Sequence, residues 1–226
     1  MPLGMMLGKQ SGLPSYVGAS MAAGPANTGN TEPTRANLPA GTVEGDYALV
    51  FYANDAGGLN AQSPSRTFSV VSAYNNNGST ANSTDACWFM EITSGVISDG
   101  YIEVGDNGYA YIGGLIIVVF RGATYSATMA GARQYTSAAT TSTLNITAGS
   151  GAWFVGFGFI DDAIVTPTYP ADYTEDSGRL QIGSADSGGT MAYAVAPFET
   201  VPTNNQTFNW GSSDITVGIP TVLTIV

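Results

Sequence analysis

The sequence predicts an all-β fold, an antiparallel β-sandwich or jelly roll preceded by an extended N-terminal arm. Three observations predict it. Gly, Ser, Thr, Asn and Ala dominate the chain beside Val, Ile, Tyr and Phe, a mixture that favours pleated half-buried surfaces joined by tight turns. Only 10% of the 226 residues are charged while 44% are hydrophobic, the reverse of a disordered composition. Glu, Lys, Arg and Leu, the staples of long helices, are scarce, and no 12-residue window shows a clear 3.6 period.

The elements follow in order. Residues 1–40 read as the arm: Pro2, Pro14, Pro25, Pro33 and Pro39 recur among glycines, with no periodicity longer than a few residues. An apolar patch, Met5, Met6 and Leu7, sits near its tip and has two readings. It is either a strand tucked against its own domain or an anchor that docks on a neighbouring subunit. Residues 41–226 read as the sandwich. Its strands are expected at Asp46–Tyr52, Thr67–Tyr74, Ala86–Thr93, Tyr101–Val104 and Tyr109–Phe120, with Gly105-Asp106-Asn107-Gly108 as a hairpin signal and Gly113-Gly114 as a bulge. Thr141–Thr147, Ala152–Ile160, Arg179–Gly183, Thr190–Ala196, Thr207–Trp210 and Thr221–Val226 complete the set, at a spacing that suits a sandwich rather than a βαβ fold. Sliding the chain by 106 residues lays 45–120 over 151–226 with the same order of elements, although only 7 of 76 positions are identical. That order suggests two similar halves.

Composition narrows the chemistry. The net charge of −11 comes from 17 acidic and 6 basic residues, too few cations to neutralise a row of phosphates or to hold an anionic lipid surface. No nucleic-acid or membrane partner is expected. The longest apolar run, Leu115–Phe120, has strand length, far short of the roughly 20 residues of a spanning helix. Met1–Lys9 lacks the layout of a signal peptide. With no histidine, Ser-His-Asp and Cys-His machinery is excluded, and the single Cys87 allows no internal disulfide and no structural zinc site. Its apolar neighbours make it a small core residue.

Carboxylates remain. Asp161-Asp162 ends a strand, and Asp172, Glu175 and Asp176 cluster in the next loop. Adjacent loop acids are usually solvated turn residues, so catalysis is not expected and no cofactor is required. Loop Asp and Asn oxygens suit calcium, which makes Asp161 and Asp162 the metal candidates, although the EF-hand spacing is absent. The 12 Tyr, 9 Phe and 3 Trp could form a sugar-binding platform, but Trp88, Trp153 and Trp210 each lie in an apolar strand, where burial is the ordinary expectation.

Several segments in succession carry a resemblance. VEGDYALVFYAND (43–55), ACWFMEITSG (86–95) and GGLIIVVFRGATY (113–125) are followed by GAWFVGFGFIDD (151–162) and a Pro-Tyr loop at 167–173. This succession resembles bacteriophage virion proteins of jelly-roll type, over about residues 40–226, and the matching motifs belong to core strands rather than to a site. The resemblance implies a structural, non-enzymatic role on the phage particle. Such a chain would be a capsid cement or decoration protein, with the major capsid protein or other virion subunits as partners and a homo-oligomeric state. Two alternatives stay open: a tail-fibre or adhesin domain that recognises host glycans, and a free carbohydrate-binding module.

Overall fold

Apolar runs punctuated by turn residues become thirteen strands and one short helix in the computed structural model, counted among the described residues 13–24, 33–55, 68–74, 83–104, 113–183 and 188–226. The strands are β1 (Ser15–Ala23), β2 (Thr34–Asn37), β3 (Tyr47–Asp55), β4 (Ser69–Tyr74), β5 (Ser83–Glu91), β6 (Tyr101–Val104) and β7 (Gly113–Arg121). The second half adds β8 (Tyr125–Met129), β9 (Gln134–Leu144), β10 (Trp153–Asp161), β11 (Asp176–Ile182), β12 (Gly189–Val195) and β13 (Gln206–Ile225). The helix α1 (Ser94–Asp99) stands between β5 and β6. It is too short to show as a period in the sequence. The Thr93 hydroxyl caps it by accepting from the Val96 N–H, and Gly100 closes it at φ 76°, a left-handed conformation that glycine adopts without strain.

Two antiparallel sheets pack face to face, as an all-β sandwich. One has the order β1-β7-β3-β5-β4 and the other β11-β12-β10-β13-β8, with β9 also paired to β13. The chain crosses from the first sheet to the second between β7 and β8 and does not return. Alternate residues of β3 show how the core divides. Leu49 and Phe51 point into the space between the sheets, where they meet Trp153, Val155, Phe157 and Phe159 of β10. Ala48, Val50 and Tyr52 point the other way and are also buried, under the small β2–β6 sheet and α1. The outer face of the second sheet is covered likewise, with Phe154, Ile160, Ala192 and Ala194 lying beneath Leu144, Phe208 and Trp210. Each large sheet is therefore covered on both faces, which is why β7, β10 and β12 are continuous apolar runs instead of alternating ones.

Three features differ from the sequence expectation. Strands β1 and β2 lie within the proline-rich segment 1–40: β1 completes the edge of the first sheet against β7, and β2 pairs with β6. Burial along β1 is uneven, so no clean alternation marks it in the sequence, and β2 alternates over only four residues. Residues Met5, Met6 and Leu7 lie outside the described residues. Next, the two expected strands at 207–210 and 221–226 are one 20-residue strand, β13. It exchanges neighbours midway: β9 pairs with it as far as Gly218 and β8 from Thr221 on, and Pro220, which has no N–H, falls in the gap between them. Last, β8 and the start of β9 are too polar and exposed to read as strands.

The Gly156-Phe157-Gly158-Phe159 run acquires a packing role. Its phenylalanines fill the central core while its glycines face outward, forming the floor on which the β9–β13 ribbon lies. A Cβ on Gly158 would stand 2.7 Å from the Phe208 ring and 2.9 Å from the Trp210 ring. Gly158→Val should overpack this layer and cost about 1–3 kcal/mol, read as a lower urea midpoint at unchanged slope. A midpoint equal to that of the parent protein would show that the ribbon does not rest on β10.

Candidate functional site

Charged side chains are so few that the place of each one matters. Asp46 ends the turn before β3 and is buried, and Arg121 ends β7 beside it. The guanidinium grips the carboxylate at both oxygens, Nε to Oδ1 and Nη2 to Oδ2 at 2.7 Å each, and Nη2 also donates to the Gly41 carbonyl at 2.6 Å. The second pair is deeper. Asp85 in β5 has no exposed surface, and Arg133, in the turn between β8 and β9, reaches it from the other sheet with Nε to Oδ2 at 2.8 Å and Nη2 to Oδ1. Arg133 also lies over the Tyr135 ring, 5.6 Å from its centre. Burial pushes the Asp85 carboxyl above the usual carboxylate range, and the guanidinium acts against that shift. Burial, with the Asp85 charge adding to it, also raises the neighbouring Cys87 thiol, so this cysteine is held as an unreactive thiol.

The opposite seam is closed by a third cluster. Tyr16 of β1 and Tyr193 of β12 both donate to Oδ2 of Asp176 at the start of β11, Tyr193 at 2.8 Å. Burial first, and then the shared carboxylate, raise both phenols, so both hydroxyls stay protonated as donors. Elsewhere Arg35 is paired with Glu103 across β2–β6 at 2.6 Å, and Arg179 donates to the Val165 carbonyl at 3.1 Å. Each arginine among the described residues is thus committed to a carboxylate or a carbonyl. What these arrangements do chemically is fasten one element to another.

The acids singled out in the sequence do not form one site. Asp161 is buried at the end of β10, and Asp162 next to it is exposed at φ 45°. Among the described residues no three His, Cys, Asp or Glu side chains converge in a way that would hold a metal ion, so the structure gathers no further carboxylate about this pair. Asp172 instead accepts from the Thr203 hydroxyl and N–H, both at 2.7 Å, which holds its carboxyl below the usual range. Asp176 serves the tyrosine cluster described above. The three tryptophans are buried. Trp210 Nε1 donates to the Ser142 hydroxyl at 2.8 Å, Trp153 Nε1 to the Tyr125 hydroxyl at 3.4 Å, and Trp88 packs edge-on against Phe68.

Sequence reading missed both ion pairs made by buried aspartates, because their partners are 75 and 48 residues apart. A signal was present in the second case: Asp85 opens the apolar run Ala86-Cys87-Trp88-Phe89, and an acid there has to find a cation. Compared with protein-family models, curated proteins and solved structures, the chain matches none.

Two outcomes test this assignment. Arg133→Ala should cost about 3–5 kcal/mol at neutral pH, because it leaves the Asp85 charge buried and alone. The loss should shrink as pH falls, since the raised carboxyl can then take up a proton; a loss independent of pH would show that Asp85 is not ionised in the fold. Tyr16→Phe removes one of the two phenol donors to Oδ2 of the half-buried Asp176 carboxylate and should lower stability by about 1 kcal/mol in the same unfolding measurement. No loss would mean that the cluster does not hold the seam.

Proposed function

We propose that this chain is a structural virion protein of a bacteriophage, a capsid cement or decoration protein that works by surface-to-surface binding. In this reading the sandwich is a rigid, cofactor-free body on the particle surface. The N-terminal segment, with Met5, Met6 and Leu7, docks on the major capsid protein or a neighbouring copy, in a symmetric arrangement of subunits. The acidic surface faces basic patches of the shell.

The observation that carries the reading is the fate of the groups that could have served a ligand. All three tryptophans are core residues, and the strong ion pairs are spent on joining elements. A glycan-binding module or adhesin would instead use exposed aromatic rings beside Asp and Asn. What the fold offers to a partner is an acidic, preformed surface with small polar side chains, such as the exposed Thr136 and Ser137 of β9.

Three measurements test it. Cryo-electron microscopy of the intact particle should find this chain on the head shell, and its absence from particles would end the proposal. Removing residues 1–12 should cut its occupancy on the shell without changing the fold of the sandwich. Full occupancy after the deletion would exclude the anchor. A glycan array should return no reproducible binder, and specific binding there would favour the adhesin alternative.

A further inference from the structure

We infer that the chain is one strand module repeated in tandem, and that the inner face of each copy is an interface for the other copy. The correspondence is in hydrogen-bond register, which is far more specific than element order. In β3–β5, Ala53 pairs with Asp85, and in β10–β12, 106 residues further along in both strands, Phe159 pairs with Met191. Ser72 pairs with Cys87 in β4–β5, and Gly178 with Tyr193 in β11–β12. Ala36 pairs with Ile102 in β2–β6, and Ser142 with Phe208 in β9–β13. The β4–β5 correspondence holds for Ser72–Tyr74 and shifts by one residue at the bulge before Ser72, which β11–β12 lacks. A one-residue slip moves a strand's side chains to the opposite face, so the shared register of the other ladders is not a by-product of both halves being β.

The first half therefore maps onto the second as β2 to β9, β3 to β10, β4 to β11, β5 to β12 and β6 to the start of β13. Strand β7 maps to the rest of β13 at an offset of 103: Phe51 pairs with Ile116 in β3–β7, and Phe157 with Ile219 in β10–β13. The three-residue difference falls in the link, where 105–112 separate β6 from β7 and 211–215 join the two parts of β13. Strand β1 maps to β8, the strand on the free side of each. Burial follows the same mapping. Ile102 and Val104 cover the first sheet as Phe208 and Trp210 cover the second, and Leu49 and Phe51 fill the centre as Val155 and Phe157 do.

The two copies are related by an approximate two-fold axis that runs between the sheets along the strands. Strand β1 lies against β11, and β4 against β8. The mapping turns the first of these seams into the second and back again, as a two-fold rotation must. Phe51 stacks on Phe157, its own counterpart, with ring centres 4.9 Å apart, which places that pair on the axis. The sandwich is thus an intramolecular dimer, and the partner each inner face fits is a second copy of its own module.

The test uses the full chain with a protease site inserted between Gly122 and Ala123, in the single crossover between copies. After cleavage the two fragments should elute together at the parent size, keep the near-ultraviolet dichroism of the packed tryptophans, and reassemble one-to-one after denaturation. A second form, cleaved between the exposed Thr200 and Val201 inside the second copy, should show the larger drop in unfolding midpoint. Separation of the fragments after cleavage at the crossover, or an equal or smaller drop for the internal cut, would overturn the inference. Because the readout is assembly of the chain with itself, it is independent of any role on a virion.

Discussion

Each of the two large sheets is apolar on both of its faces, and most of the architecture answers to that condition. Val50 and Phe51 are neighbours in β3 that point in opposite directions, and neither can be left in water. One face of each sheet is covered by the other sheet. The second has to be covered from within the same half of the chain, and the β2–β6 and β9–β13 ribbons meet that need. The glycines at 156 and 158, the long β13 and the burial of Trp88 and Trp210 are consequences of fitting this outer layer closely against the sheet beneath it.

Packing of this kind is not directional, and a stack of apolar layers could slide. The polar contacts of buried and half-buried aspartates supply direction. Asp85 and Arg133 come from different sheets, and each satisfies the other at two points, so a shift of either sheet would strand a charge away from water. Asp46 and Arg121 fix the corner where the chain leaves the first sheet, and Asp176 with Tyr16 and Tyr193 ties β1 to the β11 edge. With 6 basic residues against 17 acidic ones, the net charge of −11 follows from the count of charged residues alone.

This allocation bears on function. Groups that often make a site, namely the tryptophans, the buried Asp46 and Asp85 and the cysteine, are here built into the packing and the seams. The proposed surface-binding role would draw on what is left: shape, small hydroxyl side chains and net negative charge. In the proposed two-copy arrangement, association through a sheet face is how the module holds itself together.

Local periodicity and composition were enough for the all-β class, the core strands β3, β5, β7, β10 and β12, and the burial of the tryptophans, because a side chain's alternation along a strand is set by its immediate neighbours. The order of elements in the two halves was also legible, though identity at 7 of 76 positions gave it little support until the registers could be compared. Strands β1, β2 and β8, the fusion of 206–225 into one element, and the partners of Asp46, Asp85 and Asp176 were decided only in three dimensions. Each depends on residues distant in the chain: β1 is a strand because β7 offers it an edge, and Asp85 is tolerated because Arg133 arrives from the opposite sheet. Sequence determined which surfaces had to be hidden; the tertiary structure decided what would hide them, since pairing and charge compensation act through space and leave almost no local trace.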